Sequence, residues 1–261
     1  MATEVYNDTS GIPCDFTYYF DSNHTGTMSD PCHDNWEGVV CSCKISTKCL
    51  IYELTLSSHN ISGMLPSQMT NLLHLQHLDI SDNIISGTFP AFWWQFSELQ
   101  TLKLNNNHIS GSIPNNIVGN SLISRSNFSY FNVGYNELSG RLPESLQNLH
   151  NMMYFVVSGN QLSGSLPNFY DSWPLLINFD VSDNFLSSTL PESTLIRTLS
   201  FLDVHNNMFT GTIPYNYTIN FPQLVALSVN MNQLSGPSRL VEFASGSVRK
   251  ILKSFACSES F

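Results

Sequence analysis

Charged side chains are scarce in this 261-residue chain: 11% of residues are Asp, Glu, Lys or Arg, and twenty acids against ten Lys and Arg leave a net charge of −10. A surface so poor in cations is not built to neutralise phosphates, which argues against nucleic acid and anionic membrane as partners and favours basic or neutral ones. Long apolar runs are missing too. None reaches the roughly 18 residues of a membrane helix, and the opening stretch from Met1 to Asp8 has neither the basic nor the apolar segment of a signal peptide. There is no G-x-S-x-G elbow, H-E-x-x-H, Gly-rich phosphate loop or kinase motif set, so neither an enzyme nor a cofactor is expected. At 42% hydrophobic residues the chain is nevertheless globular in composition.

Five of the six cysteines (Cys14, Cys32, Cys41, Cys43, Cys49) fall in the first 49 residues and Cys257 stands near the end. Their clustering suggests a stapled terminal cap. The sequence Cys41-Ser42-Cys43 with Cys49, beside Cys32, His33 or His59, also has the look of a metal knot, but the paired C-x-x-C knuckles of a zinc site are absent and no metal is expected. The histidines at 74, 77, 108, 150 and 205 fall at unrelated phases, as surface residues rather than ligands do.

What the chain does have is a repeat. Leu54-x-Leu56, Leu78-x-Ile80, Leu102-x-Leu104, Phe131-x-Val133, Phe155-x-Val157, Phe179-x-Val181, Leu202-x-Val204 and Leu227-x-Val229 are short alternating apolar pairs, the mark of half-buried strands. Three residues beyond each pair stand His59, Asn83, Asn107, Asn136, Asn160, Asn184, Asn207 and Asn232, spaced 24, 24, 29, 24, 24, 23 and 25 apart. An apolar residue, commonly Ser-Gly, and then an apolar-Pro step follow, and seven of the twelve prolines share that phase. A coil of this kind cannot bury its own apolar edge, whereas stacked coils share one core. A buried Asn in each coil can satisfy turn backbone groups with its amide, building a ladder, and His59 breaks the rule where a terminal coil would.

The pattern L-x-L-x-x-N-x-L-S-G-x-I-P, repeated across residues 50 to 236, resembles the plant-type leucine-rich repeat, also widespread in protists. That resemblance implies a right-handed, curved solenoid with a parallel β-sheet on its concave side and short 3-10 or irregular segments on its convex side. The domain organisation expected is a Cys-containing cap over 1–49, eight repeats over 50–236, and a C-terminal cap or truncated further repeat over 237–261. The motif D-P-C-x-x-x-W-x-G-V-x-C, from Asp30 to Cys41, is similar to the family's N-terminal cap, which implies a disulfide between Cys32 and Cys41 and a core-sealing Trp36. Cys43 and Cys49 are close enough for a second loop, and Cys14 has no evident partner but Cys257. Apolar spacing predicts a capping helix within 240–255, although 252–257 can equally begin a ninth coil, in which case the chain is a fragment.

Solenoids bind on their strand surface. The expected outward positions are Glu53, His77, Thr101, Tyr130, Tyr154, Asn178, Phe201 and Ala226 before each apolar pair, and Thr55, Asp79, Lys103, Asn132, Val156, Asp180, Asp203 and Ser228 between its members. After the pair come Ser57, Ser81, Asn105, Gly134, Ser158, Ser182, His205 and Asn230, then Ser58, Asp82, Asn106, Tyr135, Gly159, Asp183, Asn206 and Met231. Tyr130, Tyr135, Tyr154 and Val156 are expected to form an aromatic patch beside an acidic stretch of Asp180, Asp183, Asp203 and His205, a combination suited to anchoring a protein, peptide or glycan. A separate stripe, Met64, Thr88, Ser112, Arg141, Ser165, Thr189 and Thr212, carries hydroxyls at five of seven positions.

These features lead to a non-enzymatic, extracellular or cell-surface recognition module with a protein, peptide or glycan ligand on the concave face. Two alternatives stand beside it: an inhibitor of a secreted carbohydrate-degrading enzyme, and a structural or ice-binding protein using the hydroxyl stripe. Asn7, Asn23, Asn60, Asn127 and Asn216 lie in N-x-S/T acceptors and fit an exterior location.

Overall fold

The computed structural model of the protein describes residues 14–15, 32, 37–42, 50–117, 127–167, 172–192 and 196–235. The apolar pairs form strands because alternate residues must point to opposite faces. Each strand places its leucine, isoleucine, phenylalanine or valine inward, and the result is a nine-stranded sheet made of Val39–Ser42, Leu50–Thr55, His77–Asp79, Thr101–Lys103, Tyr130–Asn132, Tyr154–Val156, Asn178–Asp180, Phe201–Asp203 and Ala226–Ser228. All neighbours are parallel and in the register of the repeat except Val39–Ser42, which runs antiparallel to Leu50–Thr55. The fold is a leucine-rich-repeat type solenoid, and this is its concave sheet; its eight repeat strands number the coils one to eight.

The coil does not become irregular after its Asn. A second nine-stranded parallel sheet comprises Cys14–Asp15, Ile61–Met64, Ile84–Thr88, His108–Gly111, Glu137–Arg141, Gln161–Ser165, Phe185–Thr189, Met208–Gly211 and Gln233–Leu234. The sequence reading anticipated only the first sheet. The apolar-x-Gly-x-apolar stretch carries one buried side chain at Ile85, Ile109, Leu138, Leu162, Leu186 or Phe209 and a second at Phe89 or Leu142, enough to hold a strand to the core. Prolines then end the strands: Pro66, Pro90 and Pro143 sit at φ −78°, −78° and −73° immediately before the 3-10 helices Ser67–Asn71, Ala91–Gln95 and Glu144–Asn148. No donor is needed there, so a proline costs nothing.

Between the sheets the core is continuous. Phe131, Phe155 and Phe179 stack coil upon coil at 5.5 and 5.6 Å between ring centres, with planes 20° and 18° apart, and Trp173 closes on Phe155 at 5.0 Å. The Asn column is the polar half of this spine. Asn160 accepts a hydrogen bond from the buried Leu138 N–H at 2.9 Å and donates to the Val133 carbonyl at 3.0 Å, both in the preceding coil. Asn83, Asn107, Asn136, Asn184, Asn207 and Asn232 repeat the same pair of bonds. Each amide therefore serves the coil before its own, which is why coil one tolerates His59: no earlier repeat turn awaits its amide. The His59 N–H is itself taken by Asn83 Oδ1 at 3.0 Å.

A disulfide joins Cys32 to Cys41, the edge strand's third residue, with Cα atoms 5.6 Å apart. Trp36, Cys43, Cys49, Cys257, Asn7, Asn23 and the 240–255 segment lie outside the described residues.

Candidate ligand-binding face

Of the four columns expected to face outward, one does so only in part: Ser57, Asn105, His205 and Asn230 are half-buried and its other four members are buried. Ser81, Ser158 and Ser182 are buried, because the residue after the second apolar position turns under as the strand ends. Gly134 is buried with them. The Ser81 and Ser182 hydroxyls donate to Asp79 and Asp180 at 2.6 Å, so this column braces the acids in front of it. The three remaining columns run across the coils as rows: one at the strand start, one at mid-strand, one in the turn beyond. They hold six carboxylates (Glu53, Asp79, Asp82, Asp180, Asp183, Asp203) and, among the described residues, one cation, Lys103.

The aromatic patch divides in two. Tyr130 and Tyr154 are register partners on adjacent strands, and their rings stack at 5.1 Å with planes 29° apart. Lys103 reaches this pair from the mid-strand row of coil three, its Nζ 5.5 Å from the Tyr130 ring centre and 3.1 Å from Asp79 Oδ2. Burial alone would push the Asp79 carboxyl up, but hydrogen bonds from the Ser81 side chain and backbone and the Lys103 charge hold it below its ordinary value. Asp79, Lys103, Tyr130 and Tyr154 thus form an ordered line across four coils. Val156 lies beside it at mid-strand in coil five.

Tyr135 is elsewhere, in the turn row five residues past Tyr130. That row adopts positive φ at Ser58, Asp82, Asn106, Tyr135, Gly159, Asp183, Asn206 and Met231. Asn, Asp and Gly suit this conformation, and a bulky side chain in it is an outlier. Tyr135, at φ 53° and 58% exposed, is one, and Met231, at φ 54° and 63% exposed, is another. A Cβ placed on Gly159 would lie 2.6 Å from Tyr135 Cδ1, so the ring rests on the bare backbone of the next coil.

The acidic residues do converge, around His205. Its Nδ1 is 2.7 Å from Asp203 Oδ1, its backbone N–H donates to the same oxygen at 3.0 Å, and its Nε2 is 3.4 Å from Asp183 Oδ2. Burial lowers the imidazole pKa, but the Asp203 hydrogen bond and the charges of Asp203, Asp183 and Asp180 outweigh it and raise the value above 6.5. Asp180 and Asp203 face each other across paired strands. Asp183 Oδ1 also accepts from Asn206 at 2.7 Å. Among the described residues no group of His, Cys, Asp or Glu could hold a metal ion.

The outer face of the second sheet is far more uniform. Ser62, Ser86, Ser110, Ser139, Ser163, Ser187, Thr210 and Ser235 fill one column, flanked by the Met64 to Thr212 stripe, whose members are exposed. Hydroxyls of Ser86, Ser110, Ser163, Thr210 and Ser235 donate to the carbonyls of Gly63, Gly87, Gly140, Ser188 and Gly211 in the preceding coil, so much of the column's donor capacity is spent internally.

Two family models, both described as leucine-rich repeat, match residues 50–109 and 127–149, within the coils whose Asn spine and paired sheets are set out above. The chain is a plant-type leucine-rich-repeat protein. The crystal structure of PEPR1-AtPEP1 is 28% identical over 81% of this chain and 28% of that one, with a TM-score of 0.67. The plant peptide hormone receptor RGFR1, in complex with RGF2, is 29% identical over 67% of this chain and 27% of that one, with a TM-score of 0.62. A plant ice-binding protein is 27% identical over 70% and 57% of the two chains, with a TM-score of 0.57. The chain spans under a third of the length of the PEPR1-AtPEP1 and RGFR1 structures. No curated protein matches its sequence.

In this leucine-rich-repeat protein, residue-by-residue reading missed the Lys103 clamp on Tyr130, the Gly159 bed under Tyr135 and the all-hydroxyl column starting at Ser62. The Gly159 signal was available: aligning the turn row shows a glycine directly after the one tyrosine. Of the acceptor asparagines, Asn60 and Asn127 are exposed, while Asn216 is half-buried at the start of the helix Tyr217–Asn220, where the Tyr217 hydroxyl donates to the Pro191 carbonyl at 3.0 Å.

Proposed function

We propose that this chain is a non-enzymatic, extracellular or cell-surface recognition module that binds a peptide or an extended protein segment on its concave face over coils four to seven. The observation that carries the reading is the stacked Tyr130–Tyr154 pair, prearranged on strands and half-exposed, with Tyr135 held in a costly backbone conformation nearby. Such rigid aromatics supply contact area without losing much side-chain entropy on binding. Similarity to structures solved with AtPEP1 and RGF2 supports the same class of ligand. In this reading residues 1–49 and 237–261 cap the array, and Asn60 and Asn127 are the acceptors best placed to carry sugar.

The test is selection from a displayed library of random 12-residue peptides on immobilised wild-type protein, followed by affinity measurement on the Tyr130→Ala/Tyr154→Ala variant. Binders that lose at least tenfold in affinity support the reading. Binders indifferent to both tyrosines would overturn it.

The hydroxyl column and the ice-binding neighbour favour one second reading, in which the second sheet binds ice. Arg141 and the inward-donating serines weigh against it. Thermal hysteresis in a nanolitre osmometer, abolished by Thr88→Tyr and Thr189→Tyr, would establish it; freezing with no hysteresis removes it.

A further inference from the structure

The concave face is electrostatically divided. In its first half Asp79 is matched by Lys103 at 3.1 Å. In its second half Asp180, Asp183 and Asp203 surround a single imidazole. Asp180 and Asp203 occupy the same mid-strand position on paired strands, where like charges directly opposite each other are destabilising. Their side chains are also half used. Asp180 Oδ1 takes both the Ser182 hydroxyl and N–H, and Asp203 Oδ1 takes both the His205 ring and N–H. Among the described residues, Oδ2 of each acid has no partner within hydrogen-bonding distance. Two uncommitted carboxylate oxygens therefore stand on neighbouring rungs about 4.8 Å apart.

We infer that the ligand is a basic peptide: an Arg or Lys side chain bridges Asp180 and Asp203 while an apolar or aromatic residue a short way along the same peptide lies on the Tyr130–Tyr154 stack. This rests on the peptide-binding reading above and adds the ligand's chemistry to it. Val156, between the stack and the acids, offers an apolar surface for the stem of the basic side chain, which buries its methylenes and keeps its charged end at the carboxylates. A planar guanidinium presents several donors in a fixed fork and suits two separate acceptors better than an ammonium does. Coil four to coil seven covers three coil spacings, about 14 Å. An extended peptide covers that with about four residues. Exposed Phe201 starts the strand that carries Asp203, after the polar Asn178 in coil six, so a second apolar residue of the peptide is expected directly beside the basic one.

The experiment uses the same displayed 12-residue library. Expected are enrichment of Arg over Lys next to apolar or aromatic positions, and a tenfold or larger loss of affinity for such peptides on Asp180→Asn/Asp203→Asn protein. Replacing the peptide's Arg by Gln should cost the same factor on wild-type protein and little on the variant. The Asn variants keep both Oδ1 acceptors, and their circular dichroism and melting should match or exceed wild type. If peptides depend on Tyr130 and Tyr154 but show no basic enrichment and bind the Asn variant equally, the basic-ligand inference is overturned and the peptide reading survives. If no selected peptide depends on the tyrosines, the peptide reading itself fails.

Discussion

The two sheets are built from the same coils, over the same core, yet their outer faces differ in kind. The second sheet repeats one solution: a Ser or Thr column whose hydroxyls donate to the preceding coil, with only small departures. The concave sheet keeps no such single residue class outward. Its mid-strand row changes from Asp79 to Lys103, Asn132, Val156, Asp180 and Asp203 in successive coils. Where a position is uniform along a stack, the stacking geometry dictates it; where it varies coil by coil, the fold leaves it free, and specificity can be written there.

Breaking the spine that both sheets share should have the largest effect. Asn160→Ala strands the Leu138 N–H in the interior, while the Val133 carbonyl keeps the hydrogen bond from Asn136 at 3.2 Å. Leaving that buried donor unsatisfied costs about 1–3 kcal/mol, which should appear as a clearly lower urea midpoint. Tyr154→Ala on the concave face should cost far less stability while removing peptide binding. Equal losses for the two variants would erase the distinction between spine and free surface.

Much of this was legible in the sequence because a repeat averages out local noise. The apolar pairs recur in eight coils, the Asn in seven of the eight and the apolar-Pro step in seven, and these separate signals agree on one coil. The site was less legible, for geometric reasons. Tyr130, Tyr135 and Tyr154 are close in the repeat alignment, but five residues of chain carry Tyr135 past the end of the strand and into the turn row, so only Tyr130 and Tyr154 meet. Ser81 and Ser182 looked outward by alternation, yet alternation stops where the strand does. The second sheet escaped notice because Ser-Gly is a weak strand signal, and its holding residues, such as Ile85 and Phe89, are four apart.

A smaller effect is expected at the rim of the concave face. Gly159 has φ +64° and lies under the Tyr135 ring. Gly159→Ala should cost about 1–2 kcal/mol through its left-handed backbone, and should displace the ring. A Tyr135→Gly change made in the Gly159→Ala background tests the coupling. If the ring is what the new methyl strikes, the second change recovers part of the loss by thermal melting; additivity would place the whole cost in the backbone.

On the second sheet the uniform rule is broken once, in coil six, where Ser188 stands at φ 79° in the position held by Gly164 and Gly211 in neighbouring coils. Ser188→Gly should stabilise the protein by about 0.5–1 kcal/mol, since removal of a strained Cβ outweighs the added freedom of the unfolded chain. Glycine at Tyr135, at φ 53°, relieves a similar strain, and if that strain is retained for binding the gain in stability comes with a loss of peptide affinity.

The smallest effect belongs to His205, and its sign separates the acidic half of the concave face from everything else. The folded pKa lies above 6.5, because the Asp203 hydrogen bond and the three carboxylates outweigh the imidazole's partial burial. A raised pKa means that the folded state holds the proton more tightly than the unfolded chain. Its contribution is therefore complete below the unfolded value and is lost as pH rises through the folded one. At this degree of exposure the contribution is about 0.2–1 kcal/mol. Urea midpoints should fall slightly between pH 6 and pH 8 in wild type, and His205→Gln should flatten that slope. The same imidazolium neutralises part of the acidic rung, so a peptide carrying Arg should bind more tightly at pH 8 than at pH 6 while stability moves the other way. Parallel movement of the two would show that His205 governs the fold of coil seven and not the charge of its surface.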